Sequence, residues 1–496
     1  MKISAMLVVA LGLGASAPAQ THSPEVRRIS LQDCIQAALA KNLDLRIARY
    51  SPQQARLDLT AAYAGYDPTF FLGGQHSYSL SGGGYSSVTG TNTLPSTSSR
   101  DDLNSSLKGK LPWGLGYTLS GDVSETSGFQ KQPFDQSAGS TTIEVKQPLL
   151  KNFWIDDTRL AIRVNKNKFR QSELGLKQTI MSTATTVEQA YYDLIAARES
   201  VKVQEKAVEI AAALLNENNK RVEFGAMTPL DAQDAEAQVA SSQAALIVEQ
   251  QALNKKLETL KGLISDDFAA WSEVDLVPVD TLTTNRQSFD LPHSWNTALT
   301  GRPDLLQARL DVENQGVTLK YNRNQLFPEL DLVGSYGHNA SGAREFSGAI
   351  GQLGSGSQPA YFYGAQISFP ILNTAARAKY RQGKFTLETL LLTLKKKEQD
   401  VLIAVHTDIG AINADYDNLG ASRKAREFAE AALEAERIKL QNGKSTTYTV
   451  LQKQRDVTTA RASEISALTA YNKALSQLSL DQAQTLERLG INLDVK

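Results

Sequence analysis

Side chains able to do chemistry are sparse in this sequence, and their spacing points to charge rather than to catalysis. Asp231 and Asp234 stand three apart in "TPLDAQDAEAQV", which on a helix sets both carboxylates on one face. Repeated around an axis, such a pair attracts cations and makes a pore constriction. The plainer alternative is that Asp231 caps its helix and Asp234 meets solvent. Asp156-Asp157 and Asp266-Asp267 read as caps or solvated faces rather than acid–base pairs. The histidines (His22, His76, His293, His338, His406) show no metal-ligand spacing. Cys34 is the only cysteine, which excludes an internal disulfide and a thiolate cluster. With no activating base evident nearby, it reads as a packing residue. "GAIGQLG" and "GLG" lack the strand-to-helix context of a phosphate loop and read as loop or strand glycines. No catalytic constellation, cofactor site or metal site emerges, so the reading is a non-enzyme.

Charge excludes another class. With 52 basic and 53 acidic residues, there is no bulk electrostatic case for nucleic acid. Residues 1–19 read as a signal peptide: Lys2, the apolar "MLVVALGLG", then Ala17-Pro18-Ala19. The mature chain is expected from Gln20, outside the inner membrane. No later run is apolar for 18 residues, so membrane contact must come through β-strands or a surface helix.

The elements that position these residues follow from periodicity. Residues 30–65 predict a helix ending before Pro68. Alternation follows over 68–148, with Phe70, Leu72, His76, Tyr78 and Leu80 on one side and weaker alternation in "DLNSSLKGKL", "YTLSGDV" and "TTIEVKQ". The intervening "SGGGYSSVTGTNTLPSTSSR" reads as loop. A helix is expected over 151–224, where Ile180, Val187, Leu194, Val201, Val208, Leu215 and Val222 recur every seven residues. Another covers 229–263. Gly225 is the helix stop, Thr228 the N-cap and Pro229 the first helical residue. Residues 264–292 read as a connector.

Then the programme restarts: helix 293–327, strands 328–370, helix 373–442, helix 446–489, and a tail over 491–496. Asp304-Leu305 and Pro328 repeat Asp44-Leu45 and Pro68 after 260 residues. Val405, Ile412, Leu419, Leu433 and Leu440 repeat the heptad 218 residues on, broken by Glu398 and Arg426. Gly443, Thr446 and Thr449 repeat the turn. The chain is a tandem duplication, residues 20–263 and 293–490. Two to four strands per half cannot close a barrel of useful bore, so several copies must share one. The fold class is mainly α with β: a duplicated coiled-coil α-barrel, plus strands contributing to a shared transmembrane β-barrel.

The organisation resembles the TolC-type outer-membrane efflux proteins over almost the whole mature chain. The motifs are "ISLQDCIQAALAKNLDLRIAR" and "ALTGRPDLLQARLDVE", "QPLLKN" and "FPILNT", and the turns "RVEFGAMTPLDAQDAEAQV" and "KLQNGKSTTYTVLQKQRDV". The resemblance implies a homotrimer with a β-barrel in outer-membrane lipid and an α-helical tunnel across the periplasm. It further implies docking to a periplasmic adaptor and to an inner-membrane pump or secretion ATPase. The tips Gly225, Thr228, Pro229, Gly443, Ser445 and Thr446 become adaptor-facing candidates. The family's second turn usually carries aspartates one turn apart; here those places hold Thr449 and Gln452. Pore-constriction candidates are therefore Asp231, Asp234, Thr449 and Gln452. The family pattern also allots two strands to each half, leaving "LNSSLKGKLPWGLGYTLSGDV" as an extra hairpin, either wall or outer loop. A periplasmic coiled-coil adaptor or scaffold is the alternative function, although it should show one helical hairpin between compact β-modules.

Overall fold

The computed structural model describes residues 26–491, apart from 89 and 226 and the side chains of 86, 91, 93 and 231. The expected signal peptide and nearly all of the tail lie outside the described residues. The chain divides into two compact units. Among the described residues, one collects 26–42, 184–286 and 412–476; the other collects 43–183, 287–411 and 477–491. Each unit draws on both repeats.

Strand β1 (Val26–Ile29) leads into α1 (Leu31–Lys41). Ser30 and Asp33 form a capping box there, each side chain accepting from the other's backbone N–H. The single helix expected over 30–65 is in fact α1, α2 (Leu43–Ala48), α3 (Tyr50–Ala62) and a 3-10 turn. The first break falls at Asn42, whose backbone extends (ψ 125) while its buried amide donates to the Leu263 carbonyl at 2.9 Å. A tertiary bond therefore overrides helical periodicity.

Strands β2 (Thr69–Ser81), β3 (Gly84–Ser86), β4 (Thr91–Thr93), β5 (Ser96–Lys110), β6 (Gly116–Phe129) and β7 (Pro133–Pro148) follow. The stretch read as loop thus holds the small β3–β4 hairpin. Next come α4 (Asp157–Glu223), α5 (Pro229–Ile264), α6 (Phe268–Trp271) and β8 (Asp275–Pro278). The connector is therefore not featureless: β8 pairs in parallel with β1. The Arg198 guanidinium grips the Leu276 carbonyl and the Asp275 carboxylate.

The second repeat begins with α7 (Leu291–Gly301) and α8 (Pro303–Asn324), where one helix over 293–327 is expected from the sequence. Arg302 is extended (ψ 122) because the ring of Pro303 disfavours helical geometry before it. β9 (Glu329–Ala343), α9 (Phe346–Ser355) and β10 (Pro359–Ser368) come next. α9 corrects the loop reading of "GAIGQLG". Phe346, Ala349, Ile350 and Leu353 recur at helical spacing, and Gly356 (φ 64) stops the helix. α10 (Thr374–Gln441), α11 (Thr447–Asp481) and α12 (Thr485–Arg488) complete the chain. Ala483 takes a left-handed φ of 59 and divides the helix expected over 446–489.

In the first unit the heptad residues Val187, Leu194, Ile412, Leu419, Leu433 and Leu440 are buried. Leu433 and Leu440 pack with Val450 and Val457 of α11 and with Leu214 of α4. Arg426, which interrupts the α10 heptad, is ion-paired to Glu430 at 2.9 Å and to Glu464. Along α4 the buried positions leave the seven-residue line for Ala207 and Ala211, while Val208 and Leu215 are half-buried. The second unit is organised by one sheet of order β10-β9-β7-β6-β5-β2, antiparallel throughout.

Candidate functional site: a two-faced sheet and two capped turns

The sheet sorts its side chains by polarity. One row crosses all six strands as Phe70, Leu107, Leu119, Ile143, Tyr336 and Tyr361, each opposite the next. Successive residues of a strand point to opposite faces, so Leu72, Leu103, Tyr363 and Ile367 join that face. These groups are not covered: Phe70 is 67% exposed and Tyr361 75%. Across the other face runs Gly73, Asn104, Asp122, Ser140 and Asn339, with the Ser140 hydroxyl donating to Asp122. Lower on the polar face Lys146 bridges Asp331 at 2.7 Å and Glu329 at 3.3 Å, and Lys110 meets Asp156 at 2.7 Å. On β9 the uncovered apolar side chains of this face run from Leu330 to Tyr336, and Ala340 beyond them is buried beneath α9. Such a sheet can separate lipid on one side from water on the other.

Helix α9 lies across the far end of the apolar face. Its Ala349 and Leu353 pack with Ala340, Ala343 and Val123. Gly139 is needed beneath it, since a Cβ there would come within 3.2 Å of Leu353 Cδ1 and 2.7 Å of the Asp122 carbonyl.

The first unit carries both helical turns. Gly225 (φ 71) and Gly443 (φ 70) take the left-handed conformation that stops α4 and α10. Their N–H groups donate to the Val222 and Leu440 carbonyls at 2.9 and 3.1 Å. Thr228 precedes Pro229, where α5 begins. Thr446 caps α11: its Oγ accepts from the Thr449 N–H at 3.3 Å and lies 2.9 Å from the Thr449 hydroxyl. Thr449 is thus engaged in the cap. The Ser445 hydroxyl donates to Glu436, and this bond, with Lys439, holds the Glu436 carboxyl below its ordinary range. Asp234 and Gln452 are exposed, and the side chain of Asp231 lies outside the described residues. Among the described residues no hydrogen bond joins Asp234 to Thr449 or Gln452, and no three His, Cys, Asp or Glu side chains are grouped to hold a metal. Burial pushes the Cys34 thiol up to about 12, helped by the Asp33 and Asp280 charges.

Two ionic knots are not evident in the sequence, because each needs members from distant segments. Asp193 on α4 accepts from Lys256 and Lys473, both at 2.9 Å. Burial works against its charge, yet the two ammonium groups hold its carboxyl below the usual range. In the second unit Arg302 bridges Asp304 at 3.0 Å and Asp481 at 2.5 Å. Asp408 lies beside Asp481; burial first, then that carboxylate, pushes its own carboxyl up to about 7, with Arg302 opposing. Proline at 303 signals the break that frees Arg302 and Asp304 lies two residues on, but nothing local signals Asp481.

The sequence matches the outer membrane efflux protein family over residues 110–265 and 295–480. The pyoverdine export outer membrane protein OpmQ of Pseudomonas aeruginosa is 24% identical over 311 residues, 62% of this chain and 63% of that protein. The chain thus spans somewhat less than two thirds of that relative. The outer membrane protein TolC of Escherichia coli is 22% identical over 396 residues, 77% of this chain and 76% of that one. Among solved structures, the outer-membrane channel OprN shares the fold with a TM-score of 0.68 at 17% identity, over 92% of this chain and 90% of that one. The outer membrane protein VceC of Vibrio cholerae does so at 0.66 and 17%, over 93% and 96%.

Proposed function

This chain belongs to the outer membrane efflux protein family, and we propose that it is the passive exit duct of a tripartite efflux pump or type I secretion system. In this reading residues 1–19 direct export, and three copies share one β-barrel in the outer membrane. The helices extend into the periplasm. The turns at Gly225, Thr228, Pro229, Gly443, Ser445 and Thr446 meet an adaptor that links the duct to an inner-membrane pump or secretion ATPase. The observation that carries the reading is the sheet, one face of which bears exposed apolar side chains on all six strands while the other is mainly polar, with Phe71 and Phe362 as its exposed apolar exceptions. A water-soluble scaffold would leave the apolar face in contact with water, a large penalty. The helices support a multi-copy assembly, since Phe385, Leu392 and Phe428 of α10 are 68%, 69% and 74% exposed in one copy.

Asp231 and Asp234 are the proposed cation-attracting ring at the mouth. Purified protein in a planar bilayer should give single-channel conductance with a cation preference that Asp231→Ala/Asp234→Ala reduces severalfold. An unchanged preference would remove these carboxylates from the gate. Recovery of the protein only as a soluble species that gives no conductance would favour the scaffold and overturn the duct.

A further inference from the structure

The family pattern gives each half two strands, but this chain departs from it. The first half supplies β2, β5, β6 and β7, the second β9 and β10, and all six join one sheet. The extra hairpin β5–β6 sits inside that sheet, between β2 and β7. Its Leu103, Leu107 and Leu119 continue the apolar face, and its Asn104 and Asp122 continue the polar one. It is wall, not outer loop.

The two edges of the wall are β2 and β10. Six antiparallel strands alternate in direction, so these edges run oppositely and are matched for antiparallel pairing. Their free N–H and C=O groups find no partner in hydrocarbon. Closure within one copy would give a six-stranded barrel, below the size that leaves any lumen for the polar face. The edges must meet another copy.

The geometry points to β10 of one copy pairing with β2 of the next, so that three copies close an eighteen-stranded barrel, wider than the twelve strands that the family pattern implies. The number of copies rests on the trimeric duct of the preceding section; the seam does not.

The pleat restricts that seam. Even-numbered residues of β2 (Phe70, Leu72) and odd-numbered residues of β10 (Tyr361, Tyr363) carry the apolar face, and a slip by one residue would turn one strand inside out. Within a copy the row of Thr69 leads to Phe362. Ser368, the end of β10, lies six residues nearer the helices. Setting Ser368 level with the start of the neighbouring β2 keeps the faces matched and staggers the sheet by six residues per six strands. With ~3.3 Å per residue and ~4.8 Å between strands the tilt is about 35°, within the range of closed barrels. Eighteen strands at that tilt give about 34 Å between opposite backbones, against about 22 Å for twelve.

In that register Ser77 and Ala360 of neighbouring copies face each other on the polar side. The test is Ser77→Cys/Ala360→Cys in full-length protein carrying Cys34→Ser, oxidised in outer-membrane vesicles and run on a non-reducing denaturing gel. Native mass of the unoxidised complex gives the copy number separately. Linked dimers and trimers, absent from the opposite-face pair Ser77→Cys/Tyr361→Cys, are expected. A trimer by mass that links neither at 77/360 nor at the two-residue shift 79/360 overturns the seam while leaving the trimeric duct standing. A ladder and mass that stop at two copies overturn both. Disulfides confined to single copies overturn the shared barrel. Wild-type protein in nanodiscs provides a variant-free check: cryo-electron microscopy should resolve eighteen strands around the barrel, and twelve, with β5–β6 outside it, would refute the proposal.

Discussion

The two halves of the chain share their joints and differ in their wall. Ser30 and Asp290 stand 260 residues apart, and each caps its helix by accepting from the N–H three residues on. The next helix break also coincides, with Asn42 at ψ 125 and Arg302 at ψ 122. Gly225 and Gly443 share a left-handed φ, as do Asn152 and Asn373 where the last strand of each half turns toward its long helix. Duplication has kept the places where the backbone must leave regular geometry. Between those joints the halves differ: among the described residues the first alone has β5–β6 and the second alone has α9. A joint fixes where an element starts, whereas a hairpin tip has no such constraint and tolerates insertion.

The inserted hairpin gives the largest expected effect. If β5–β6 is wall, Leu119→Arg puts a charge on its apolar face. It should cost about 2–4 kcal/mol in urea unfolding from lipid vesicles, as lipid-facing charges near the bilayer midplane do. Asp122→Asn, on the polar face of the same strand, should change stability by less than about 0.5 kcal/mol. Equal effects would make the hairpin a solvated loop and leave the halves with the same wall.

The joint at residue 302 gives a smaller, pH-dependent contrast. Unfolded, Asp408 titrates near ~3.9; folded, it is raised to about 7. The fold favours its protonated form, so its contribution to stability is whole below about pH 4 and is lost as the pH rises to 7. Asp408→Asn should therefore stabilise the protein at pH 8, by on the order of 1 kcal/mol after solvent screening, and do little at pH 4. Arg302→Ala should destabilise at pH 8, because Asp304 and Asp481 lose their cation. That loss should persist near pH 4 and shrink only at lower pH, since the carboxyl of Asp304, held low by Arg302, contributes fully above its unfolded pKa and loses its contribution as the pH falls through the lowered folded value. Unfolding midpoints at pH 8, at pH 4 and below pH 3 check both signs. Asn42, at the equivalent joint, uses a neutral hydrogen bond and should show no such dependence.

What the sequence disclosed follows how local each determinant is. The heptads of α10, the glycine stops and the Thr446 cap depend on neighbours within one or two turns, and these were legible. Arg302 was partly legible, since Pro303 announces an extended residue before it. Helix α9 was hidden by its glycines, although Phe346, Ala349, Ile350 and Leu353 carried the period. The break at Asn42 was not legible, because its cause is the carbonyl of Leu263. Nor was the pairing of β8 with β1, for a four-residue run has too little pattern. At the turns, Thr449 is occupied by the cap of its own helix, a role its hydroxyl shares with any helix start and which spacing alone does not separate from pore lining.

The central claim is that one face of the sheet meets lipid and the other water along every strand. Single cysteines from Leu119 to Val123 on β6, in protein carrying Cys34→Ser, can each be given an environment-sensitive fluorophore and reconstituted into vesicles containing a bilayer-embedded quencher. Strong quenching is expected at 119 and 121, with weak quenching at 120 and 122 and an intermediate value at 123, which α9 covers. Uniformly weak quenching, with every site open to a water-soluble quencher, would contradict the account.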